Sequence, residues 1–151
     1  MRKLYTAAAL ALLAVGPSIA AAQTFSAPLS WVPIGGAERS DVSGEGVATA
    51  KLSGTRLSID GSFEGLPAKV TSAKLHEGVA KGARGMAPPT IAELTVSGDT
   101  SGRVAGDVRL SAAQVEALKA GRLFVQINSE KGVLPDHGTL WGWLASEESR
   151  R

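Results

Sequence analysis

The feature that most constrains the fold of this chain is a two-residue alternation of apolar and polar side chains, found in short segments separated by turns. The clearest segment runs from Leu57 to Glu64, where every second residue is apolar or glycine and the residues between are polar. Such alternation places the two sets of side chains on opposite faces of a β-strand. It therefore predicts a strand with one buried face.

Similar segments recur along the chain, with glycine- or proline-containing turns between them. They span residues 70–76, 91–96, 103–110, 123–128 and 139–144. The glycine-rich turn at 98–102 predicts that the second and third of these segments form a hairpin. Seven or eight short strands without a regular strand–helix alternation predict one all-β domain, an antiparallel sandwich or barrel.

One helix is expected among the strands. Ser111 and Gln114 have the spacing of a capping box, Val115 and Leu118 supply an apolar stripe, and Gly121 stands where a C-terminal cap belongs. These signals predict a helix of two or three turns.

Residues 77–89 are expected to form a long connection between two strands. They contain three glycines and two prolines and show almost no periodicity. Loops of this length are often functional.

The N-terminal segment, residues 1–22, has the features of an export signal. Arg2 and Lys3 precede an apolar stretch at 4–15, and the small residues 20–22 are typical of a cleavage site. The apolar stretch is shorter than the roughly 20 residues that a membrane span needs. We therefore expect signal cleavage, an exported protein that is periplasmic or extracellular, and no transmembrane segment afterwards.

Removal of that segment makes the charge balance neutral. The chain has 16 basic and 14 acidic residues, and the two basic residues Arg2 and Lys3 leave with the signal. A protein that binds nucleic acid must displace counterions from phosphates with basic side chains. A neutral, exported chain is not expected to have a nucleic-acid partner.

The chain offers few residues for metal chemistry, since it has two histidines, His76 and His137, and no cysteine. Further candidate ligands are Glu77, Asp136 and Met86. A copper or zinc site typically needs three or four imidazole, thiolate or carboxylate ligands, and a protonated Lys74 would repel a cation beside His76. We therefore expect no cofactor, with copper or zinc on His76 and His137 as the alternative.

Motifs for nucleophilic catalysis are missing from the sequence. No serine lies in a Gly-x-Ser-x-Gly motif, and the adjacency of Asp136 and His137 is not the geometry of a catalytic triad. We assign no catalytic residue and expect a protein that is not an enzyme.

Several short motifs, in order, resemble the CHRD domain, a module named from chordin and found in exported bacterial proteins. The matching stretches are Gly61 to Leu66, Leu75 to Gly78, Leu110 to Gln114 with Leu118, Ala120 and Gly121, and Gly138 to Gly142. The resemblance covers about residues 46 to 144. It implies an immunoglobulin-like β-sandwich with one short helix, distantly similar to copper/zinc superoxide dismutase, and it names no settled function.

The chain departs from the family pattern at polar positions. Family members usually carry His-x-His-x-Gly where this chain has Lys74 to Gly78, and a further family histidine corresponds to Asn128. The last strand usually reads Gly-Glu-Ile-Arg-Gly, where this chain has Gly138 to Gly142 with Trp141 at the fourth position.

Alternation predicts that the altered positions share a face. If the three strands are neighbours, Lys74, His76, Gln126, Asn128 and Trp141 form a semi-exposed polar and aromatic surface. Such a surface resembles a ligand-binding face more than a metal cage. The partner would be a protein, a glycan or a small ligand of unknown identity.

Trp141 and Trp143 lie two residues apart and therefore on one strand face. They either pack under the loop at 77–89, as large aromatic side chains usually do, or stay exposed and contact a ligand. Their solvent exposure distinguishes the two interpretations.

The sequence thus predicts a signal peptide (1–22), an N-terminal strand and loop (23–45), a CHRD-like β-domain (46–145) and a polar tail (146–151). The predicted function is that of an exported, non-catalytic binding or interaction module. The alternative is a copper- or zinc-binding protein, or one like superoxide dismutase, with a degraded histidine set.

Overall fold

The computed structural model of the chain describes residues 21–133 and 136–151. The predicted signal segment lies outside the described residues, apart from Ala21 and Ala22.

Within these residues the chain forms nine β-strands and one α-helix. The strands are β1 (Gln23–Trp31), β2 (Glu45–Ser53), β3 (Arg56–Glu64), β4 (Val70–Glu77), β5 (Thr90–Gly98), β6 (Gly102–Arg109), β7 (Leu123–Val133), β8 (Gly138–Trp143) and β9 (Ala145–Ser146). The helix is α1 (Ala112–Lys119), and short 3-10 turns cover Gly36–Asp41 and Glu148–Arg150.

The first eight strands close into an antiparallel barrel. Their order around it is β1-β2-β3-β6-β5-β4-β7-β8, and β8 pairs back onto β1 through Ser30 and Trp31. The short β9 pairs with Phe25 and Ser26 of β1. The predicted all-β antiparallel fold with one short helix is confirmed.

The expected immunoglobulin-like sandwich is not confirmed. A sandwich has two separate sheets, whereas here two strands join both halves of the fold. Residues 23–29 of β1 pair with β2 and Ser30 and Trp31 with β8, while β5 pairs with β4 through one part and with β6 through the other. Alternation shows which side chains are buried but not whether the last strand pairs with the first.

The core follows the alternation seen in the sequence. Leu57, Ile59 and Phe63 of β3 are at most 3% exposed, and the polar residues between them are exposed. The predicted hairpin of β5 and β6 and the predicted helix are also confirmed. Ser111 and Gln114 form the capping box, and Gly121 has a φ of +71°, which favours glycine.

Helix α1 positions the start of the long connection that follows β4. Ala117 and Leu118 are buried in the core, and the chain then reaches Arg122, whose carbonyl accepts a hydrogen bond from the Gly78 backbone N–H at 2.7 Å. The connection runs from 78 to 89, as predicted, and is called the covering loop below.

None of the helices in the described part of the chain is long and apolar enough to span a membrane.

Candidate functional site

The candidate site lies on the face of β4, β7 and β8 that points away from the barrel core. Leu75, Val125 and Ile127 belong to the core, so their neighbours along each strand point to the opposite face. We call that opposite face the outer face.

Strand register brings the predicted site residues together in rows across the outer face. Lys74 pairs with Gln126, which pairs with Trp141. His76 pairs with Phe124 in the next row, and Asn128 pairs with Ser72 on the other side. All five predicted residues therefore lie on one surface formed by three neighbouring strands.

The expectation of a semi-exposed surface is wrong for three of the five residues. His76 and Asn128 are 4% exposed and Gln126 is fully buried. Lys74 and Trp141 are half-buried. Residues outside the strand pattern lie against two of them: the Pro88 and Pro89 carbonyls of the covering loop lie near His76, and Asp136 in the turn before β8 contacts Gln126. Strand alternation predicts neither contact.

Contacts at both ends of the covering loop fasten it to the barrel. Besides the bond from Gly78 to Arg122, the Glu77 N–H donates to the Pro89 carbonyl at 3.1 Å. At Gly78 a Cβ would lie 2.6 Å from the Trp143 ring, a distance that real Cβ atoms do not adopt. Glycine at this position lets the loop lie directly on the indole, so the packing interpretation of Trp143 is confirmed.

Aromatic rings form one side of the site. The His76 imidazole stacks on Phe124 with centroids 5.2 Å apart, and Phe124 contacts Trp141 and Trp143 at centroid distances of 5.8 and 4.7 Å. The two indoles lie edge to face at 5.6 Å. These geometries are those of favourable aromatic pairs, so the cluster fixes the orientation of the imidazole.

A hydrogen-bond network forms the other side. Gln126 Nε2 donates to Asn128 Oδ1 at 2.9 Å and to Asp136 Oδ2 at 2.7 Å, and Asn128 Nδ2 donates to Ser72 Oγ at 3.2 Å. Arg84, from the covering loop, places Nη2 3.7 Å from Asp136 Oδ2. The loop is thus also attached to the outer face by charge.

Lys74 lies at the edge of this network. Its Nζ is 3.3 Å from Glu93 Oε1, and its side chain is 30% exposed. The lysine charge is therefore partnered by a carboxylate on the neighbouring strand β5.

Four buried polar atoms at the site have open hydrogen-bonding capacity. Across the described part of the chain, the buried side-chain nitrogen and oxygen atoms without a hydrogen-bond partner are His76 Nε2, Arg84 Nε, Gln126 Oε1 and Asp136 Oδ1. Buried polar groups are nearly always paired, because an unpaired one costs about 1–3 kcal/mol. All four atoms belong to residues of this one site. We call these residues, His76, Arg84, Gln126 and Asp136, the polar cluster.

Burial lowers the pKa of His76 below its ordinary value of 6.5, because the charged imidazolium is poorly solvated there. The Asp136 carboxylate and the carbonyls of Pro89 and Pro88 act in the opposite direction, and Arg84 adds to the lowering. His76 Nδ1 lies 3.4 Å from Thr90 Oγ1. The ring is neutral at neutral pH.

His137, the second candidate metal ligand, is an exposed residue of the turn before β8 and has a φ of +56°. Its carbonyl accepts a hydrogen bond from the Ser129 N–H at 3.3 Å. Within residues 21–133 and 136–151, no group of three or more histidine, cysteine, aspartate or glutamate side chains is arranged to hold a metal ion.

Sequence reasoning missed the role of Arg84 and understated that of Asp136. Arg84 lies in a segment without periodicity, where nothing marks one residue over another. Asp136 was a candidate only as a metal ligand, whereas it contacts Gln126 and Arg84. Its position directly before His137 carried no signal for either contact.

Comparison with known protein families decides the relationship suggested by the motifs. The model of the CHRD domain matches residues 25–133, which is more than half of the chain. The chain belongs to the CHRD domain family. No curated protein and no solved structure gives a significant match.

The family match begins within β1 of this CHRD domain. β1 closes the barrel by pairing with β2 and β8. The match also includes β4, the covering loop and three residues of the polar cluster, His76, Arg84 and Gln126, whereas Asp136 and β8 lie beyond its last residue.

Proposed function

We propose that this CHRD protein is an exported, non-catalytic binding module whose ligand site is the outer face of β4, β7 and β8 together with the covering loop. The observation that carries the proposal is the open hydrogen-bonding capacity of the polar cluster. Buried polar groups of a purely structural network are nearly always paired, whereas a site for a polar ligand leaves some of them available.

The polar cluster combines two buried residues with two that are partly exposed. His76 and Gln126 are buried and held by stacking and hydrogen bonds. The side chains of Arg84 and Asp136 are 24% and 31% exposed. The open atoms of all four residues are themselves buried, so a ligand would reach them by displacing part of the covering loop.

The outer surface of the covering loop supports the proposal of an interaction module. Val79 is 70% exposed and Met86 98% exposed. Exposed methionine is common on surfaces that bind other proteins. Lys81 gives the loop surface a positive charge, and residues 78–92 contain no acidic side chain.

The surroundings of His76 support a non-catalytic role. The serine on this face, Ser72, contacts the Asn128 amide. A serine nucleophile requires a base within hydrogen-bond reach and a third group that orients the base. His76 instead has Thr90 Oγ1 at Nδ1.

Metal binding is the second candidate, and His76 Nε2 is the observation that favours it. This nitrogen is buried and has no hydrogen-bond partner among the described residues. The Asp136 carboxylate acts to raise the pKa of the ring, as a neighbouring negative charge does. Arg84 also lies beside His76 and would repel a cation. We therefore rank a polar ligand ahead of copper or zinc.

A thermal-shift screen of amino acids, sugars, carboxylates, phosphates and divalent metals tests the proposal, because a ligand that binds only the folded state raises its melting temperature. We expect at least one compound to stabilise the wild-type protein and to lose its effect in Asp136→Asn. The control is Asp60→Asn, which neutralises an exposed ion pair with Arg103 far from the outer face. Stabilisation that is equal in both variants would place the binding site elsewhere.

A further inference from the structure

Met86 brings to the covering loop a side chain that can be chemically modified. The chain has no cysteine and two methionines, and the other methionine, Met1, belongs to the predicted signal. Peroxides oxidise a thioether to a sulfoxide, and reductases restore it. Once the signal is removed, Met86 holds the one sulfur atom on which this chemistry can occur.

The structure leaves the Met86 side chain open to solvent. It is 98% exposed, the highest value among the large apolar residues of the described part of the chain. Gly85, directly before it, has a φ of +78°, and a Cβ at that residue would come within 2.9 Å of Val79 Cγ1. The loop backbone therefore packs on Val79 at residue 85, and Met86 projects from this contact into water.

We infer that Met86 is a modification site, at which a hydroperoxide oxidises the thioether to a sulfoxide without unfolding the domain. A lone pair of the sulfur attacks the peroxide oxygen that bears the hydrogen, and a sulfur–oxygen bond forms as the oxygen–oxygen bond breaks. The departing oxygen takes up that proton and leaves as water, or as an alcohol when the oxidant is an organic hydroperoxide. The sulfur loses two electrons and the peroxide gains them.

Oxidation at this position leaves the fold intact because the fold makes little use of the side chain. The contacts that fasten the covering loop come from other residues, namely the Gly78 N–H on the Arg122 carbonyl and the Glu77 N–H on the Pro89 carbonyl. A side chain that stays in water when the chain folds contributes little burial energy. The oxidised and reduced proteins should therefore have the same melting temperature.

The same step changes the character of the loop surface. A thioether is apolar and adaptable, whereas a sulfoxide is polar. Val79, which is 70% exposed, and Met86 are the two large apolar side chains of this surface. If the surface contacts a partner, as the interaction module proposed above requires, oxidation weakens that contact by removing one of the two.

Peptide mass mapping after treatment with dilute hydrogen peroxide tests the modification. We expect each chain to gain one oxygen atom, on the peptide that contains Met86, and Met86→Leu to gain none. Trp31, at 39% exposed, is the competing oxidisable residue, and Trp31→Phe should gain oxygen as the wild-type protein does. The oxidised protein should elute earlier from a hydrophobic-interaction column, and methionine sulfoxide reductase should restore the original elution.

A rate comparison tests the exposure of the sulfur. We measure the oxidation of Met86 in the folded protein and in the urea-unfolded protein, each relative to N-acetylmethionine amide in the same solution. The two relative rates should agree within about threefold, because a fully exposed sulfur gains no access on unfolding.

A larger slowing in the folded protein, a first oxygen on a tryptophan, or a lower melting temperature after oxidation would overturn the inference. None of these measurements involves the polar cluster. A failure here therefore leaves the ligand screen unaffected, and a failed screen leaves the oxidation of Met86 unaffected.

Discussion

The imidazole of His76 stacks on the ring of Phe124, with the two planes 22° apart, and turns Nε2 into a buried position without a protein partner among the described residues. The stacking is possible because the two residues are register partners on β4 and β7. His76, which stands where family members usually carry a pair of histidines, is therefore held in one orientation by the barrel. Its position is what allows its chemistry to be predicted.

Stability should fall as the pH is lowered through the range in which histidine titrates. The pKa of His76 is lowered in the folded protein, so the unfolded chain binds a proton more readily. The stabilising contribution of the neutral ring is fully present above pH 6.5 and is lost as the pH falls from 6.5 through the lower folded pKa. The melting temperature measured between about pH 7.5 and about pH 5 should show this loss.

A matched variant isolates His76 as the source. His76→Phe keeps an aromatic ring against Phe124 but cannot titrate, so its melting temperature should decline less over the same pH range. An equal decline in the wild-type protein and in His76→Phe would show that His76 is not responsible.

Gly78 should be intolerant of a side chain. In Gly78→Ala, the new Cβ meets the Trp143 ring and the Ala83 carbonyl, both at 2.6 Å, so the covering loop must move away from the indole. Overpacking of this kind costs about 1–3 kcal/mol. We expect a lower melting temperature, altered tryptophan fluorescence and faster proteolysis within the loop. Gly36→Ala is the control, because a Cβ there has nothing within 4 Å, and similar losses in both variants would contradict the packing account.

A negative charge at position 126 should break the network of the outer face. Gln126 donates both of its N–H groups, to Asn128 Oδ1 and Asp136 Oδ2. Gln126→Glu replaces those donors by a buried carboxylate that faces two acceptors, at a cost of about 3 kcal/mol or more. Urea unfolding measures the loss of free energy.

The control for this variant is Gln114→Glu on α1. Gln114 accepts the Ser111 backbone N–H in the capping box at 2.8 Å, a role that glutamate also performs. The control should unfold with nearly wild-type free energy. A Gln126→Glu protein as stable as Gln114→Glu would mean that the hydrogen bonds of Gln126 contribute little.

Copper or zinc should bind weakly. Arg84 disfavours a cation beside His76, and the described residues contain no group of three or more suitable side chains. Tryptophan fluorescence reports on the site, because Trp141 and Trp143 both contact Phe124, whose ring stacks on His76. We expect no saturation near about 1 µM metal, in wild type or in His76→Ala. Micromolar binding that is lost in His76→Ala would favour the metal-binding alternative.

Much of the fold was predictable because it is encoded locally. The alternation of Leu57 to Glu64 and the capping box of Ser111 and Gln114 each involve residues close in the sequence, and both occur as predicted. Barrel closure was not predictable. It depends on Ser30 pairing with Trp141 across more than a hundred residues, and no local pattern specifies that contact.

The candidate site, like the fold, was predictable only in the features that local sequence patterns encode. Alternation correctly placed Lys74, His76 and Gln126 on one side of their strands. The burial of His76 and Gln126 could not be predicted, because it involves contacts from the covering loop and from Asp136 in the turn before β8. That loop is positioned by single contacts, such as Gly78 on Trp143, rather than by a periodic pattern.

The most direct test of the central claim is a nitrogen-15 NMR titration that follows the His76 ring and the Gln126 side-chain amide as a stabilising compound is added. We predict that His76 Nε2 and the Gln126 side chain show the largest shifts, and that these shifts are lost in Asp136→Asn but kept in Asp60→Asn. Unchanged His76 and Gln126 signals at saturation, with the shifts concentrated around another surface such as that of Trp31, would contradict the claim that the polar cluster is the binding site.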